Sequence, residues 1–184
     1  MVRKIFRVIS WSLLVLTVIS ILLVLRKPSA PTVATSMEAA KSFDQKLGQL
    51  DEAHQHGAQQ EVRITEVELN SKLQESVQGA VGGPVTLSAA TIHLEGEKLL
   101  GTFTVNVSGK DIYLTIGGTL GVTGRTLEFK PTDVKMGSLP VPVTVIESAL
   151  RERLDSPEMR ERMKLPDNIK NVRIENGELV LQTQ

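Results

Sequence analysis

The sequence predicts an α+β protein that is attached to a membrane at its N-terminus. Three observations support this class: an uncharged apolar run near the N-terminus, glycine-containing turns between alternating strands, and apolar stripes at helical spacing around them. In full, we predict an N-terminal transmembrane helix, then an antiparallel β-meander with amphipathic helices packed on its apolar face, and a C-terminal β-hairpin.

Residues 8–25 form the predicted anchor, because this stretch carries no charge. A helix of this length spans about 27 Å at ~1.5 Å per residue, close to the ~30 Å hydrocarbon core of a bilayer. A cleaved signal peptide has a shorter apolar region and a small-residue cleavage site, whereas Arg26 and Lys27 close this run and Pro28 follows. The sequence therefore favours an uncleaved, single-pass signal-anchor.

The basic residues around the apolar run predict its orientation. Arg3, Lys4 and Arg7 precede the run, against two basic residues after it, which favours a cytoplasmic N-terminus and an extracytoplasmic C-terminal domain at the cell membrane. The predicted organisation is a cytoplasmic stub and transmembrane anchor over residues 1–27, a linker over 28–36, and an extracytoplasmic α+β domain over 37–184.

Charge and composition exclude several function classes. The chain has 21 basic and 21 acidic residues, but residues 1–27 hold five basic and no acidic ones, so the remainder has a net charge of −5. An acidic body argues against nucleic acid as a partner. The absence of cysteine excludes disulfides and thiol chemistry, and six aromatic residues are too few for stacking platforms. The partners that agree with this composition are the membrane, a lipid or an envelope protein.

Two helices are predicted before the meander. Ser36 caps a helix over residues 37–50, in which apolar residues recur at three- and four-residue steps, and the polar residues 51–60 are interpreted as a loop or frayed helix. Thr65 and Glu68 have the spacing of a capping box, which opens a second helix. That helix is predicted to end at Gly79, Gly82, Gly83 and Pro84.

Three Gly-X dipeptides predict the meander, since each separates runs that alternate polar and apolar residues. Glycine first in a two-residue loop suits a type II′ turn, and a register slip of one residue would mismatch every pair. The dipeptides are Gly96-Glu97, Gly109-Lys110 and Gly124-Arg125, and the strands cover residues 85–94, 98–108, 111–123 and 126–135. The predicted pairs include Leu94 with Leu99, Val105 with Leu114, and Val122 with Leu127.

The apolar face of this meander needs a cover, and a helix that begins at Pro142 is predicted to supply it. A second, charged helix is expected between Ser156 and Lys164, and Asn176-Gly177 is predicted to turn the last hairpin, pairing Ile174 with Leu179. The covering helix carries an apolar stripe of Val143, Ile146, Ala149, Leu150 and Leu154.

Nothing in the sequence indicates catalysis, a cofactor or a metal. A nucleophile elbow and a phosphate-binding loop are both missing, and the carboxylates fall at turns, caps and polar helix faces. His54 and His56 lie in a polar segment with no third ligand in register, which predicts solvated histidines rather than a metal site. His93 is predicted to be a surface histidine on the polar face of the meander. We therefore expect a protein that is not an enzyme.

A pair of glycines on the apolar face is the feature that could accommodate a ligand. The predicted register places Gly101 opposite Gly118, which leaves a strip of bare backbone. One interpretation is a groove for an acyl chain between sheet and helix; the other is sheet curvature or close approach of the helix over residues 142–154. The candidate ligand-binding residues are Gly101, Phe103, Ile116, Gly118, Ile146 and Leu150.

Three segments together carry a family resemblance: TEVELNSKL at 65–73, MGSLPVP at 136–142 and LPDNIKNVRIENGELVL at 165–181. This combination resembles the YpmS-like family of single-pass bacterial envelope proteins of unknown function. It is also similar, more loosely, to small membrane-associated lipid-binding domains whose curved sheet wraps a helix around an acyl chain. The resemblance implies one N-terminal span and a small outer domain across most of residues 60–184, and it transfers no catalytic residues.

Two functions from different classes follow from the sequence. The first is a non-enzymatic, membrane-anchored extracytoplasmic domain that binds or shields a lipid or other apolar ligand at the cell envelope. The alternative is an envelope protein–protein interaction or scaffold module with a solid core and no ligand. A copurifying amphiphile distinguishes the two.

Overall fold

A computed structural model describes residues 15–27, 32–77 and 85–183 of the chain. The fold is α+β, with an antiparallel meander and a C-terminal hairpin, as the sequence predicts. The helices are α1 (residues 15–25), α2 (Met37–Gln55), α3 (Glu66–Val77), α4 (Val143–Leu154) and α5 (Pro157–Arg162). The strands are β1 (Glu61–Thr65), β2 (Val85–Glu95), β3 (Lys98–Val107), β4 (Lys110–Thr123), β5 (Thr126–Met136), β6 (Leu139–Pro140), β7 (Ile169–Glu175) and β8 (Glu178–Thr183).

The meander is a five-stranded antiparallel sheet in the order β2-β3-β4-β5-β6. The predicted strand limits agree with the structure to within one residue. The predicted register is confirmed at two of the three turns, where Leu94 pairs with Leu99 and Val122 pairs with Leu127. Alternation of polar and apolar residues therefore located these strands and their pairing correctly.

The predicted register between β3 and β4 is wrong by two residues. Val105 pairs with Ile112, because the turn is formed by Ser108 and Gly109, which both have positive φ (51° and 83°), as a type I′ turn requires. The prediction placed glycine first in the loop, whereas here it is second. A shift of two residues keeps every side chain on its predicted face, so the polar and apolar faces are unchanged.

A second, three-stranded sheet has the order β1-β8-β7 and was only partly predicted. The hairpin at Asn176-Gly177 is confirmed, with Ile174 paired to Leu179. Strand β1 was not predicted. It is five residues long, and its partner β8 lies at the opposite end of the sequence, so no local turn indicates the pairing.

The main core lies beside the small sheet rather than on the meander. Leu50 of α2 and Ile64 of β1 are fully buried, and they pack in one cluster with Val62, Ile169, Val172 and Leu181. Val122 and Leu127, at one end of the meander, pack against this cluster. The prediction that a helix covers the apolar face of the meander is wrong at this end, because the small sheet packs there instead.

The helices contact the edge strands of the meander. The meander contacts of α3 fall chiefly on β2, and those of α4 fall on β5.

The cap at Ser36 is confirmed by its hydroxyl, which accepts a hydrogen bond from the Ala39 amide (3.0 Å). Helix α2 continues to Gln55, into the segment that was predicted to be a loop or frayed helix, because Ala53 is buried and extends the apolar stripe by one turn. The glycines and proline expected to end α3 lie outside the described residues.

Helix α1 is docked on the body near the turn between β5 and β6. The Ser138 amide donates a hydrogen bond to the Leu23 carbonyl (2.8 Å), which caps one of the last carbonyls of the helix. The predicted span begins at Val8, and its first seven residues fall within 1–14, outside the described part of the chain. Within the ranges that are described, none of the helices has the length and apolar character needed to cross a membrane.

Candidate functional site

The two glycines that were predicted to face each other do not do so. Gly101 pairs with Ile116, whereas Gly118 pairs with Leu99 on one side and Pro131 on the other. The correction follows from the two-residue shift of the β3–β4 register. The predicted strip of bare backbone across the sheet is therefore interrupted.

Each of these glycines is covered by a neighbouring aromatic ring. A Cβ placed on Gly101 would lie 2.9 Å from Cε2 of Phe103, and one on Gly118 would lie 2.6 Å from Cζ of Phe129 and 2.4 Å from the Lys130 carbonyl oxygen. The glycines thus give room to phenylalanine rings from the same sheet. Neither close approach of α4 nor an open groove explains them.

The remaining predicted site residues are spread over three elements. Phe103 and Ile116 lie partly buried on the apolar face of β3 and β4. Ile146 and Leu150 belong to α4, but their side chains are not among those that the structure describes. The structure therefore brings Gly101, Phe103 and Ile116 together and leaves Gly118 under the Phe129 ring.

A cleft of about 830 Å³ separates the outer edge of β5 from α4 and α5. The sequence predicted a site between sheet and helix, but it chose residues on β3 and β4, whereas this cleft lies along β5. Its lining includes apolar side chains from strand and helix, together with several charged ones. The apolar lining residues are Leu127, Phe129, Pro131, Val143, Leu154 and Met163.

Backbone hydrogen bonds hold the two ends of the cleft. At one end, the Leu127 amide donates to the Met163 carbonyl (2.9 Å), which ties the end of α5 to the start of β5. At the other end, the Val141 amide donates to the Val134 carbonyl (2.9 Å), just before α4 begins. The chain between these points arches away from the strand as α4 and α5, and this arch creates the cleft.

The opposite edge of the same sheet is closed by side chains of α3. The Asn70 amide group donates to the Ile92 carbonyl (2.6 Å) and accepts from the Ile92 amide (2.7 Å), as a neighbouring strand would. A carboxylate oxygen of Glu66 accepts from the Leu94 amide (2.8 Å). At Ile92 and Leu94, the free edge of β2 is thus satisfied without another strand.

His93 corrects another prediction, since it is buried (7% exposed) rather than a surface histidine. Its Nδ1 lies 3.1 Å from Oε1 of Glu66, and its Nε2 has no hydrogen-bond partner in the described ranges. The helix packs over the β2 edge and covers this position. Sequence alternation assigned the correct face but could not show that α3 covers it.

A buried carboxylate at the start of α3 confirms the predicted capping box. The Glu68 carboxylate accepts from the Thr65 amide (2.8 Å), while the Thr65 hydroxyl accepts from the Glu68 amide (3.3 Å). Burial raises the pKa of Glu68, but hydrogen bonds from Lys46, Ser42 and Thr65 outweigh burial and lower the pKa to about 2. These bonds tie α2 to α3, so the arrangement is structural.

His54 and His56, at the end of α2, were predicted to be solvated rather than to bind a metal. His54 is in the last turn of the helix and His56 follows its end, and both are exposed. In the part of the chain that the structure describes, no group of three or more histidine or carboxylate side chains is placed to hold a metal ion.

The cleft residues on α5 and β5 were missed by the sequence prediction. Phe129 and Pro131 lie two residues apart on the apolar face of β5. This spacing is the same for a strand that borders a ligand cleft and for a strand that is covered by a helix. Only the return of residues 163–165 to the start of β5 brings Met163 and Lys164 into the cleft.

Comparison with known proteins gives no family assignment: no protein-family model and no curated protein matches the chain. The resemblance to YpmS-like proteins stays a prediction. Any statement on function therefore depends on the geometry of the chain itself.

Proposed function

We propose that this protein is a single-pass, membrane-anchored domain on the outer side of the membrane, and that it binds or shields a lipid or another apolar ligand without catalysing a reaction. The observation that carries the proposal is the cleft between β5 and the helices α4 and α5. Its volume of about 830 Å³ falls within the range of roughly 300–1,000 Å³ that is usual for small-molecule sites.

The lining of the cleft suits an acyl chain. Leu127, Phe129 and Pro131 lie on the apolar face of β5 and remain partly exposed to the cleft, opposite Val143 and Leu154 of α4. An apolar ligand would remove these surfaces from water, which favours binding by about 25 cal/mol for each Å² buried.

The exposed surface of α1 supports the membrane anchor. Large apolar side chains on this helix are 44–63% exposed, an arrangement that is unfavourable in water and favourable in lipid. They are Val15, Leu16, Val18, Ile19, Ile21, Leu22 and Leu25. Arg26 and Lys27 at its end suit the boundary between the hydrocarbon core and the headgroups.

The contact between Ser138 and Leu23 supports a position of the domain close to the membrane surface. Because this contact joins the end of α1 to the turn after β5, the Val143 end of the cleft lies on the side of the anchor. A lipid that leaves the bilayer would meet this end first.

The alternative, a protein-interaction module, would use the open edge of β5 to bind an extended peptide strand. This edge is poorly suited to such pairing. Pro131 lacks an amide hydrogen, and the extra residue Thr132 forms a bulge, since Gly117 pairs with Asp133 and Gly118 pairs with Pro131. The bulge and the proline both interrupt the hydrogen-bond ladder that a bound peptide strand would need. The geometry therefore favours an apolar ligand over a peptide.

The decisive experiment is to purify the full chain from membranes into amphipol and to identify bound amphiphiles by native mass spectrometry and solvent extraction. We expect about one copurifying amphiphile for each chain. Val143→Trp, which fills the cleft, should abolish this copurification. Val145→Trp is the matched control, because Val145 lies on the same helix, is 66% exposed and does not line the cleft.

Two results would contradict the proposal. One is a wild-type chain that carries no amphiphile after gentle extraction. The other is a Val143→Trp variant that retains as much bound amphiphile as Val145→Trp.

A further inference from the structure

Charge is distributed unevenly between the cleft and the rest of the domain. Four basic and three acidic side chains among those described line the cleft, whereas residues 28–184 as a whole contain five more acidic than basic residues. The basic residues are Lys130, Arg151, Arg160 and Lys164; the acidic ones are Glu128, Glu147 and Asp155. The described lining therefore carries a net charge of +1 on a domain that is otherwise acidic.

Three of these cations lie at the same end of the cleft. Arg151 is in the last turn of α4, and Arg160 and Lys164 belong to α5 and the residues after it. The hydrogen bond between Leu127 and Met163 holds this segment at the start of β5. Val143, in the first turn of α4, lines the other end of the cleft, and the β5 residues that line it, from Thr126 to Pro131, extend over about 17 Å at ~3.3 Å per residue.

Among the side chains that the structure describes, carboxylates engage these cations through exposed ion pairs. Arg151 pairs with Glu147 (2.7 Å) and Arg160 pairs with Asp155 (3.3 Å), and the four side chains are 45–70% exposed. Lys164 pairs with Glu161 (2.5 Å) and is equally exposed. Water screens such pairs, and both arginine and lysine have further N–H donors, so an incoming anion can be bound as well.

We infer that the cleft prefers an amphiphile with an anionic head, a carboxylate or a phosphate, over one with a zwitterionic head. Arg151, Arg160 and Lys164 bind the head, and the acyl chain runs along Leu127 and Phe129 toward Val143, the end nearest to α1. The position of these three cations at one end of the cleft, with Val143 at the other, supports this orientation. The inference rests on the proposed function, because it requires that an amphiphile occupies the cleft.

Photolabelling in nanodiscs tests the head-group preference with the full chain. Nanodiscs of phosphatidylcholine would contain either a photoactivatable phosphatidic acid or a photoactivatable phosphatidylcholine with the same diazirine acyl chain. Mass spectrometry then measures labelling of the peptides that contain residues 126–131 and 143–154. We expect the phosphatidic acid probe to label these peptides about tenfold more, the ratio that one additional charge-assisted hydrogen bond provides.

A matched pair of variants assigns the preference to the cleft. Arg160→Gln combined with Lys164→Gln should reduce phosphatidic acid labelling to the level of the phosphatidylcholine probe. Lys110→Gln combined with Lys170→Gln removes the same charge from two exposed lysines outside the cleft and should leave the labelling unchanged.

The outcomes separate this inference from the proposed function. Equal labelling of the cleft peptides by both probes would overturn the head-group preference and leave the proposed function intact. Labelling of these peptides by neither probe would overturn both. Inorganic phosphate should not compete at millimolar concentration; if it displaces the phosphatidic acid probe, the site binds a free anion and the inference is wrong.

Discussion

The two sheets of this protein differ in how completely they bury their apolar side chains. In the small sheet, Val62, Ile64, Ile174 and Val180 are buried, two of them completely. In the meander, the described large apolar side chains are only partly buried, except for Leu94 and Val134. The small sheet therefore provides the stable core, whereas the meander presents an incompletely covered apolar surface.

The largest expected effect tests this difference in burial directly. Ile64→Ala should lower the free energy of unfolding by about 3–5 kcal/mol, because Ile64 is fully buried in the core cluster. Ile116→Ala removes the same atoms from a partly buried position on β4 and should cost only about 1–2 kcal/mol. Urea unfolding followed by circular dichroism measures both, and equal losses would show that the two sheets contribute alike.

The second prediction concerns the acid stability of the contact between α2 and α3, which Glu68 holds. The pKa of Glu68 is lowered to about 2, so its ionised form stabilises the folded state above the ordinary glutamate pKa, and this contribution is lost as the pH falls from about 4.5 to about 2. The contribution is about 3 kcal/mol. Unfolding measured across this window should show the loss in the wild type.

Glu68→Gln should flatten the same pH profile, because the ionisable group is gone. Glu75→Gln is the control, since the Glu75 side chain is 53% exposed at the other end of α3. An unchanged pH profile in Glu68→Gln would mean that other carboxylates cause the acid sensitivity.

The third prediction compares two glycines in β4 of the meander. Gly118→Ala would place a methyl group 2.4 Å from the Lys130 carbonyl and 2.6 Å from the Phe129 ring, so we expect a loss of about 2 kcal/mol. Gly121→Ala has nothing within 4 Å and should instead stabilise the strand by about 0.5–1 kcal/mol. Thermal unfolding of the two variants should shift in opposite directions; the same direction would contradict this packing of Phe129.

The smallest expected effect is local and concerns the docking of α1. Gly137 has φ +59°, and a Cβ there would lie 2.3 Å from the carbonyl oxygens of Leu23 and Val24. Gly137→Ala should therefore separate α1 from the meander and accelerate hydrogen exchange of the Ser138 amide about tenfold. Gly96→Ala, with a similar φ of +61° but open space, should leave that amide protected.

Local sequence signals were sufficient for most elements. The capping box at Thr65 and Glu68, the cap at Ser36 and the strand limits of the meander depend on neighbouring residues, and all were predicted. The predicted β3–β4 register is wrong because Ser108 adopts a positive φ and forms the turn together with Gly109. The presence of a glycine at position 109 did not by itself indicate this conformation of Ser108. The prediction that His93 is exposed is wrong for a different reason. Its burial depends on α3, whose Glu66 lies 27 residues earlier in the chain.

The sequence by itself determined the α+β class, the faces of the strands, and the division between an apolar, basic N-terminus and an acidic body. These properties follow from short-range periodicity and composition. Only the tertiary structure decided where the core lies and which residues line the cleft. Each of these depends on contacts between segments distant in the chain, such as β1 with β8 and Met163 with Leu127, whose pairing is set by packing and chain return rather than by local preference.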